Sequence, residues 1–292
     1  MPSGQRRILV LTGLILMLLP LAGCGGGSSL ILGATTSLQD TGLLDELVAA
    51  FEEESGYQVA GITPIVAGSG QVLELARRGE IDVLITHSPD AEEQFVAEGH
   101  GVDRIRFMEN LFIIAGPADD PAELATALTP SEAFSRIADG GHDFISRGDQ
   151  SGTHMRELAI WAEAGVEPQG RSWYQESATG QGQNLLIASD RGAYTLVDSA
   201  TFNVFRERTD MVPYVFEGEV MRNRYSIIRV NPEEHSGLNS EAALAFANFV
   251  TSPQGQLLIQ EFGRQEYGES LFTPASLDTE ASATTDNPAS SR

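Results

Sequence analysis

The chain has 292 residues, 41% of them hydrophobic and 7% aromatic, enough for one large core or two medium ones. Its 18 basic residues, all Arg, face 41 acidic ones for a net charge of −23, which argues against a nucleic-acid-binding surface. Cys24 is the single cysteine, so no intramolecular disulfide can form.

Arg6 and Arg7 precede an apolar run from Ile8 to Leu21, too short to span a bilayer but suited to a signal-peptide core. The run ends in L-A-G-C, Leu21 to Cys24, which resembles the lipobox of bacterial lipoproteins, where the cysteine is acylated and becomes the mature N-terminus. Residues 1–23 are therefore expected to be a lipoprotein signal peptide, Cys24 the lipidation site, and residues 24–29 a flexible tether. Cleavage removes two Arg and no acid, leaving 16 basic against 41 acidic residues and a mature charge of −25.

From Leu30, short apolar runs alternate with amphipathic segments, the pattern of parallel-sheet α/β units. LILGA reads as a buried strand, and Leu43, Leu44, Leu47, Val48 and Phe51 share one helical face, with Asp40 or Thr41 as its cap. An extended run near Val59 to Ala67, a helix near Gln71 to Arg78, the run Ile81 to Thr86 and a helix near Ala91 to Glu98 continue the cycle. A strand from Leu111 then runs into the Pro- and Asp-rich break of LFIIAGPADDP, a candidate crossover. A second series follows: a helix around Ser131 to Ala138, the run DFIS, a helix after SRGDQSGTH, and short strands near WYQE, AYTL and MVPYVF. Glu217 to Arg224 forms a second break, after which YSIIRV returns as a strand. Helices follow over Ser240 to Thr251 and Pro253 to Phe262, with Ser252 before Pro at the second start. Two breaks around a central block predict two doubly wound α/β lobes joined by a two-crossing hinge. Lobe I spans 30–116 and 222–277, lobe II spans 117–221, and residues 278–292, rich in Ala, Ser and Thr, read as a disordered tail.

Four connections share one chemistry: A-T-T-S at Ala34 to Ser37, G-S-G-Q at Gly68 to Gln71, R-G-D-Q-S-G-T-H at Arg147 to His154, and T-G-Q-G at Thr179 to Gly182. Each offers hydroxyls, glycine backbone or both beside a strand end or a helix start, where free N–H groups and the helix dipole favour an anion. The Arg147 loop also contains an RGD tripeptide, but it sits between a strand and a helix instead of at the tip of a long loop. Ser151 and His154 could meet on one turn as nucleophile and base, yet the orienting group and donor hole that catalysis requires are not evident, and G-D-Q-S-G departs from the G-x-S-x-G elbow. An anion cradle uses the whole loop: Arg147 supplies charge and a planar fork, Ser151 and Thr153 supply hydroxyls, and Gly152 supplies backbone. Asp149 would repel an anion and is expected beside Arg147.

These motifs resemble those of the substrate-binding lipoproteins of tungstate ABC transporters, within the periplasmic binding protein superfamily that also holds molybdate- and phosphate-binding proteins. The family pattern T-T-T-S-x-Q-D-S-G-L-L is met here as A-T-T-S-L-Q-D-T-G-L-L and G-T-G-Q as G-S-G-Q. D-V-L-x-x-H-x-P-x-x-E is met as D-V-L-I-T-H-S-P-D-A-E, and R-G-D-x-S-G-T-H is matched in full. The departures are Ala34 and Ser69, each in place of Thr; at position 34 only backbone could reach a ligand. The resemblance implies a two-lobed periplasmic binding protein fold of type II that closes on a tetrahedral oxyanion without chemistry on it. Thr36, Ser37 and Ser69 would contact the ion from one lobe, and Arg147, Ser151, Gly152 and Thr153 from the other. No cofactor and no metal are expected, with His87 and His154 read as structural. The implied partners are tungstate or a related oxyanion, an ABC permease with its ATPase, and the membrane through lipid on Cys24. The protein is expected as a monomer, on the outer face of the cytoplasmic membrane or in the periplasm. A ligand-sensing lipoprotein, or a binding protein for molybdate, sulfate or phosphate, stays open at this stage.

Overall fold

The computed structural model describes residues 29–55 and 65–275. The expected signal peptide, Cys24, most of the tether, the start of the run near Val59 and the tail lie outside the described residues. The first block is β1 (Leu32–Thr35), α1 (Thr36–Thr41), α2 (Leu43–Ser55), β2 (Ile65–Ala67), α3 (Ser69–Arg77), β3 (Val83–Thr86), α4 (Pro89–Ala97) and β4 (Gly101–Pro117). The central block is α5 (Pro130–Gly140), β5 (Phe144–Ser146), α6 (Gly152–Glu163), β6 (Tyr174–Glu176), α7 (Gln181–Arg191), β7 (Thr195–Asp198), α8 (Ser199–Phe205) and β8 (Met211–Tyr214). The chain returns through β9 (Arg222–Val230), α9 (Ser240–Thr251), α10 (Pro253–Glu261), α11 (Arg264–Tyr267) and β10 (Thr273–Pro274).

β1 runs parallel to β2 and β3 on either side, and β9 joins β3 antiparallel. β4 pairs antiparallel with β9, and β10 closes the far edge of β4. Up to Leu111, β4 pairs with β9; from Phe112 to Pro117 it pairs antiparallel with β7 and β8. Its packing changes at the same place: Phe107 and Met108 enter one core with Leu32, Leu47 and Phe246, whereas Phe112 and Ile114 enter another with Phe134, Phe144 and Trp161. One strand thus belongs to both halves of a two-lobed α/β fold.

Three local expectations are corrected. The strand expected from Leu111 begins at Gly101, because the charges that interrupt its apolar pattern are paired from neighbouring elements: Arg104 Nε reaches Glu92 at 2.9 Å and Arg229 Nε reaches Asp103 at 3.1 Å. Asp40 and Thr41 do not cap α2; they belong to a separate helix, α1, which ends at Gly42 with φ of 84°, a left-handed turn that glycine adopts without strain. The break expected over Glu217 to Arg224 is shorter, since one turn at Glu219–Met221 leads straight into β9 at Arg222.

Candidate functional site

The four flagged loops lie where the lobes face each other, and each opens a helix. α1 follows β1 directly, Gly68 precedes α3, Ser151 caps α6 by accepting from His154 N at 3.3 Å, and Gly180 precedes α7. Glycine allows the close approach: a Cβ on Gly152 would lie 2.6 Å from the His87 carbonyl oxygen, and one on Gly68 would lie 3.2 Å from Ser151 Cβ. Across the same interface, Gly182 N donates to Asp40 Oδ2 of the opposite lobe at 2.9 Å. Burial pushes the Asp40 carboxyl above its usual range, partly offset by that N–H and by Arg147.

Arg147 is 2% exposed. Its Nη2 donates to Asp149 Oδ2 and its Nη1 to Gln181 Oε1 at 3.0 Å, while Nε has no partner among the described residues. Asp149 stands beside Arg147 as expected, and its other oxygen accepts from Ser151 N at 3.1 Å. Thr153 is buried with an unpartnered Oγ1, and the Oγ1 of Thr36 is likewise buried and unpartnered. Ser69 is fully buried, and its Oγ accepts from His87 N at 3.4 Å. Ser37 bonds to Thr35 Oγ1 at 3.2 Å and to the Tyr225 hydroxyl at 3.1 Å. Ala34 packs into the core of its lobe from within β1.

His87 does not face a ligand group. Asn223 Nδ2 is used by Asn110 Oδ1 at 2.8 Å and the Tyr225 hydroxyl at 3.0 Å, so its Oδ1 is the acceptor for His87 Nδ1 at 2.8 Å. The ring stacks on Tyr225 with centroids 5.0 Å apart, and burial first, helped by Arg147, lowers its pKa to about 4. His154 Nδ1 accepts from Gln150 N at 3.1 Å, so neither ring nitrogen engages Ser151 Oγ and no nucleophile–base pair forms. Among the described residues no group of three or more His, Cys, Asp or Glu could hold a metal ion.

Sequence reasoning flagged the T-G-Q-G loop but chose no residue from it, and so missed Gln181; the amide after Gly180 at a helix start was the available signal. Asp40 was visible but assigned a capping role. Asn110, Asn223 and Tyr225 carried no signal, because only the β4–β9 register, which sets Asn110 opposite Asn223, brings them together.

The PBP superfamily domain pattern matches residues 22–254. A putative ABC transporter anion-binding protein from Haloferax volcanii is 41% identical over 261 residues, covering 88% of this chain and 75% of its own. The tungstate-binding protein TupA of Peptoclostridium acidaminophilum is 37% identical over 286 residues, covering 92% and 98%. Among solved structures, that of the tungstate ABC transporter from Geobacter sulfurreducens is 41% identical with a TM-score of 0.72, over 80% of this chain and 99% of that one. With two α/β lobes meeting at four helix-opening loops, and with tungstate-binding relatives aligned along 98% and 99% of their own length, the chain belongs to the PBP superfamily, in the branch that holds the tungstate-binding proteins.

Proposed function

We propose that this protein is an exported solute-binding protein that captures tungstate between its lobes and delivers it to an ABC permease, without chemistry on the ion. The observation that carries the reading is the set of buried, unpartnered donors contributed by both lobes: Thr36 Oγ1 from one, Arg147 Nε and Thr153 Oγ1 from the other. Thr36 lies against Gly180, the neighbour of the residue that holds Arg147, which brings the two sets to one interface. Ser37, Ser69, Ser151 and the Gly152 backbone complete the site. The lobes follow the division expected from the sequence, 30–116 with 222–277 and 117–221, except that β4 is shared and its residues 112–116 pair and pack with the second lobe.

Most of the nearby carboxylate and amide oxygens are already engaged. Both oxygens of Asp149 and the Gln181 Oε1 have donors, and Asp40 Oδ2 holds Gly182 N. Hydrogen phosphate carries a proton that requires an acceptor, so it meets a mismatch worth several orders of magnitude in a buried site, whereas a fully deprotonated dianion meets only donors. Sulfate fits the donor set but is smaller, and stretches its contacts. The expected order is tungstate at least as tight as molybdate, then sulfate, then phosphate. Calorimetric titration of wild type and Arg147→Ala across the four anions tests this. Tight phosphate binding, or near-native tungstate affinity in a folded Ala variant, overturns it.

The finer parts of the proposal are acylation of Cys24 after cleavage at Gly23 and a monomeric state. The mass of the mature N-terminus checks the first, with an unmodified Cys24 as the refuting result, and light scattering of the loaded protein checks the second, with a dimer mass as the refuting result.

A further inference from the structure

Arg147 is almost fully buried, and two of its three donor nitrogens are held by different kinds of acceptor. Nη2 meets the Asp149 carboxylate, and Nη1 meets the neutral amide oxygen of Gln181 at 3.0 Å. Gln181 is the first residue of α7 and is completely buried. Its amide is used at both ends, because Nε2 donates to the Leu196 carbonyl on β7 at 3.2 Å. That double use fixes the amide's orientation: turned over, it would aim an NH2 at a guanidinium and an oxygen at a carbonyl. The next residue is held from the opposite lobe through Gly182 N and Asp40. Gln181 is thus clamped through its side chain by β7 and through its neighbour by α1.

We propose that Gln181 is the positioning residue of the anion site. It holds the Arg147 guanidinium in place through a neutral acceptor, so that one arm of the fork, not both, is compensated by a carboxylate. The proposal rests on the reading of Arg147 as the charged contact for the oxyanion. Elsewhere in this acidic chain, arginines such as Arg78, Arg104, Arg224 and Arg229 meet carboxylates, and Arg224 meets two, Glu219 and Glu109. At Arg147 the same arrangement would defeat the purpose. The Arg147–Asp149 pair is neutral in sum and leaves the buried Nε–H without a partner among the described residues; a second carboxylate on the fork itself would make the pair net negative and repel a dianion in this buried site. An apolar residue would leave Nη1 unsatisfied and free to swing the fork out of register. An amide avoids both faults.

The isosteric variant Gln181→Glu separates charge from shape. Protonated, a glutamic acid reproduces both bonds: its carbonyl oxygen accepts from Arg147 Nη1 and its hydroxyl donates to the Leu196 carbonyl. Ionised, it cannot donate and adds a negative charge. Tungstate affinity, measured by calorimetry between about pH 6.5 and about pH 8.5, is expected to be flat for wild type. For Gln181→Glu it should be roughly 100-fold weaker wherever the carboxylate is ionised, a form the adjacent guanidinium favours. Gln181→Met, neutral but without an acceptor, should be about tenfold weaker at every pH, with circular dichroism confirming the fold of both variants. The inference is overturned if folded Gln181→Glu binds within threefold of wild type at the alkaline end, or if it loses no more affinity than Gln181→Met. It is equally overturned if folded Gln181→Met matches wild type. Arg147→Ala, run in parallel, keeps the two readings apart. Retained affinity there removes the anion role of Arg147 itself, whereas loss there with wild-type behaviour in both Gln181 variants removes the role of Gln181 alone.

Discussion

Glu157 lies on α6 with 1% of its surface exposed, and one of its oxygens accepts from both Trp161 Nε1 at 3.2 Å and the Tyr174 hydroxyl at 2.8 Å. Burial outweighs those bonds and raises its pKa to about 7 from 4.5. Between these values the folded protein keeps a proton that the unfolded chain releases, so stability falls as pH rises through the window, by about 3 kcal/mol in all. His87 acts in the opposite sense: its pKa is lowered to about 4 from 6.5, so the unfolded chain takes up a proton that the folded one refuses, and stability is lost as pH falls. In the overlap of the two windows the slopes oppose each other and the wild type displays little of either. Gln in place of Glu157 can still accept both bonds and cannot ionise. The stability of Glu157→Gln relative to wild type, from urea unfolding at a series of pH values, should therefore be small below the lower value and grow to about 3 kcal/mol above the upper one. A difference that does not change with pH would refute the buried-acid account.

At the scale of elements, α1 and α7 are coupled across the interface. The first turn of a helix presents N–H groups without intrahelical acceptors, and Gly180 offers α7 no side-chain cap. Asp40 supplies the missing acceptor from the other lobe, so the bond forms only when the lobes are together. The same carboxylate adds negative charge beside the proposed anion site. Asp40→Asn keeps an acceptor oxygen and removes the charge, whereas Asp40→Ala removes both. Tungstate affinity should thus stand at or above wild type for Asn and about tenfold below it for Ala. Titration measures the order, and Asn falling as far as Ala would refute a hydrogen-bonded latch. Helix ends were legible where a short-range cap exists: Ser252 with Pro253 marked α10, and its Oγ accepts from Gly255 N at 3.2 Å. The start of β4 was not legible, because the partners of its charges come from other elements.

Across the whole molecule, 41 acidic residues against 18 Arg produce self-repulsion in the folded state. Salt shortens the reach of these charges from about 30 Å in dilute buffer to about 3 Å in molar salt. The melting temperature should accordingly rise on going from dilute buffer to molar neutral salt, and scanning calorimetry that finds no rise would contradict that self-repulsion. The same field opposes an incoming dianion, so the association rate in stopped flow should quicken with a non-competing salt; a slower rate would contradict it.

By itself the sequence determined the alternation of strand and helix, the two-lobed α/β class, the four helix-opening loops and the family, because apolar period, caps and glycine placement act within a few residues of chain. Tertiary structure alone decided which donors are left over. Arg147 and Gln181 are 34 positions apart, His87 and Asn223 are 136, and Asp40 and Gly182 are 142. No local pattern encodes such pairings. They arise from sheet register and lobe contact, and the long-range partner each polar atom finds there determines whether it is spent on the fold or kept for the anion.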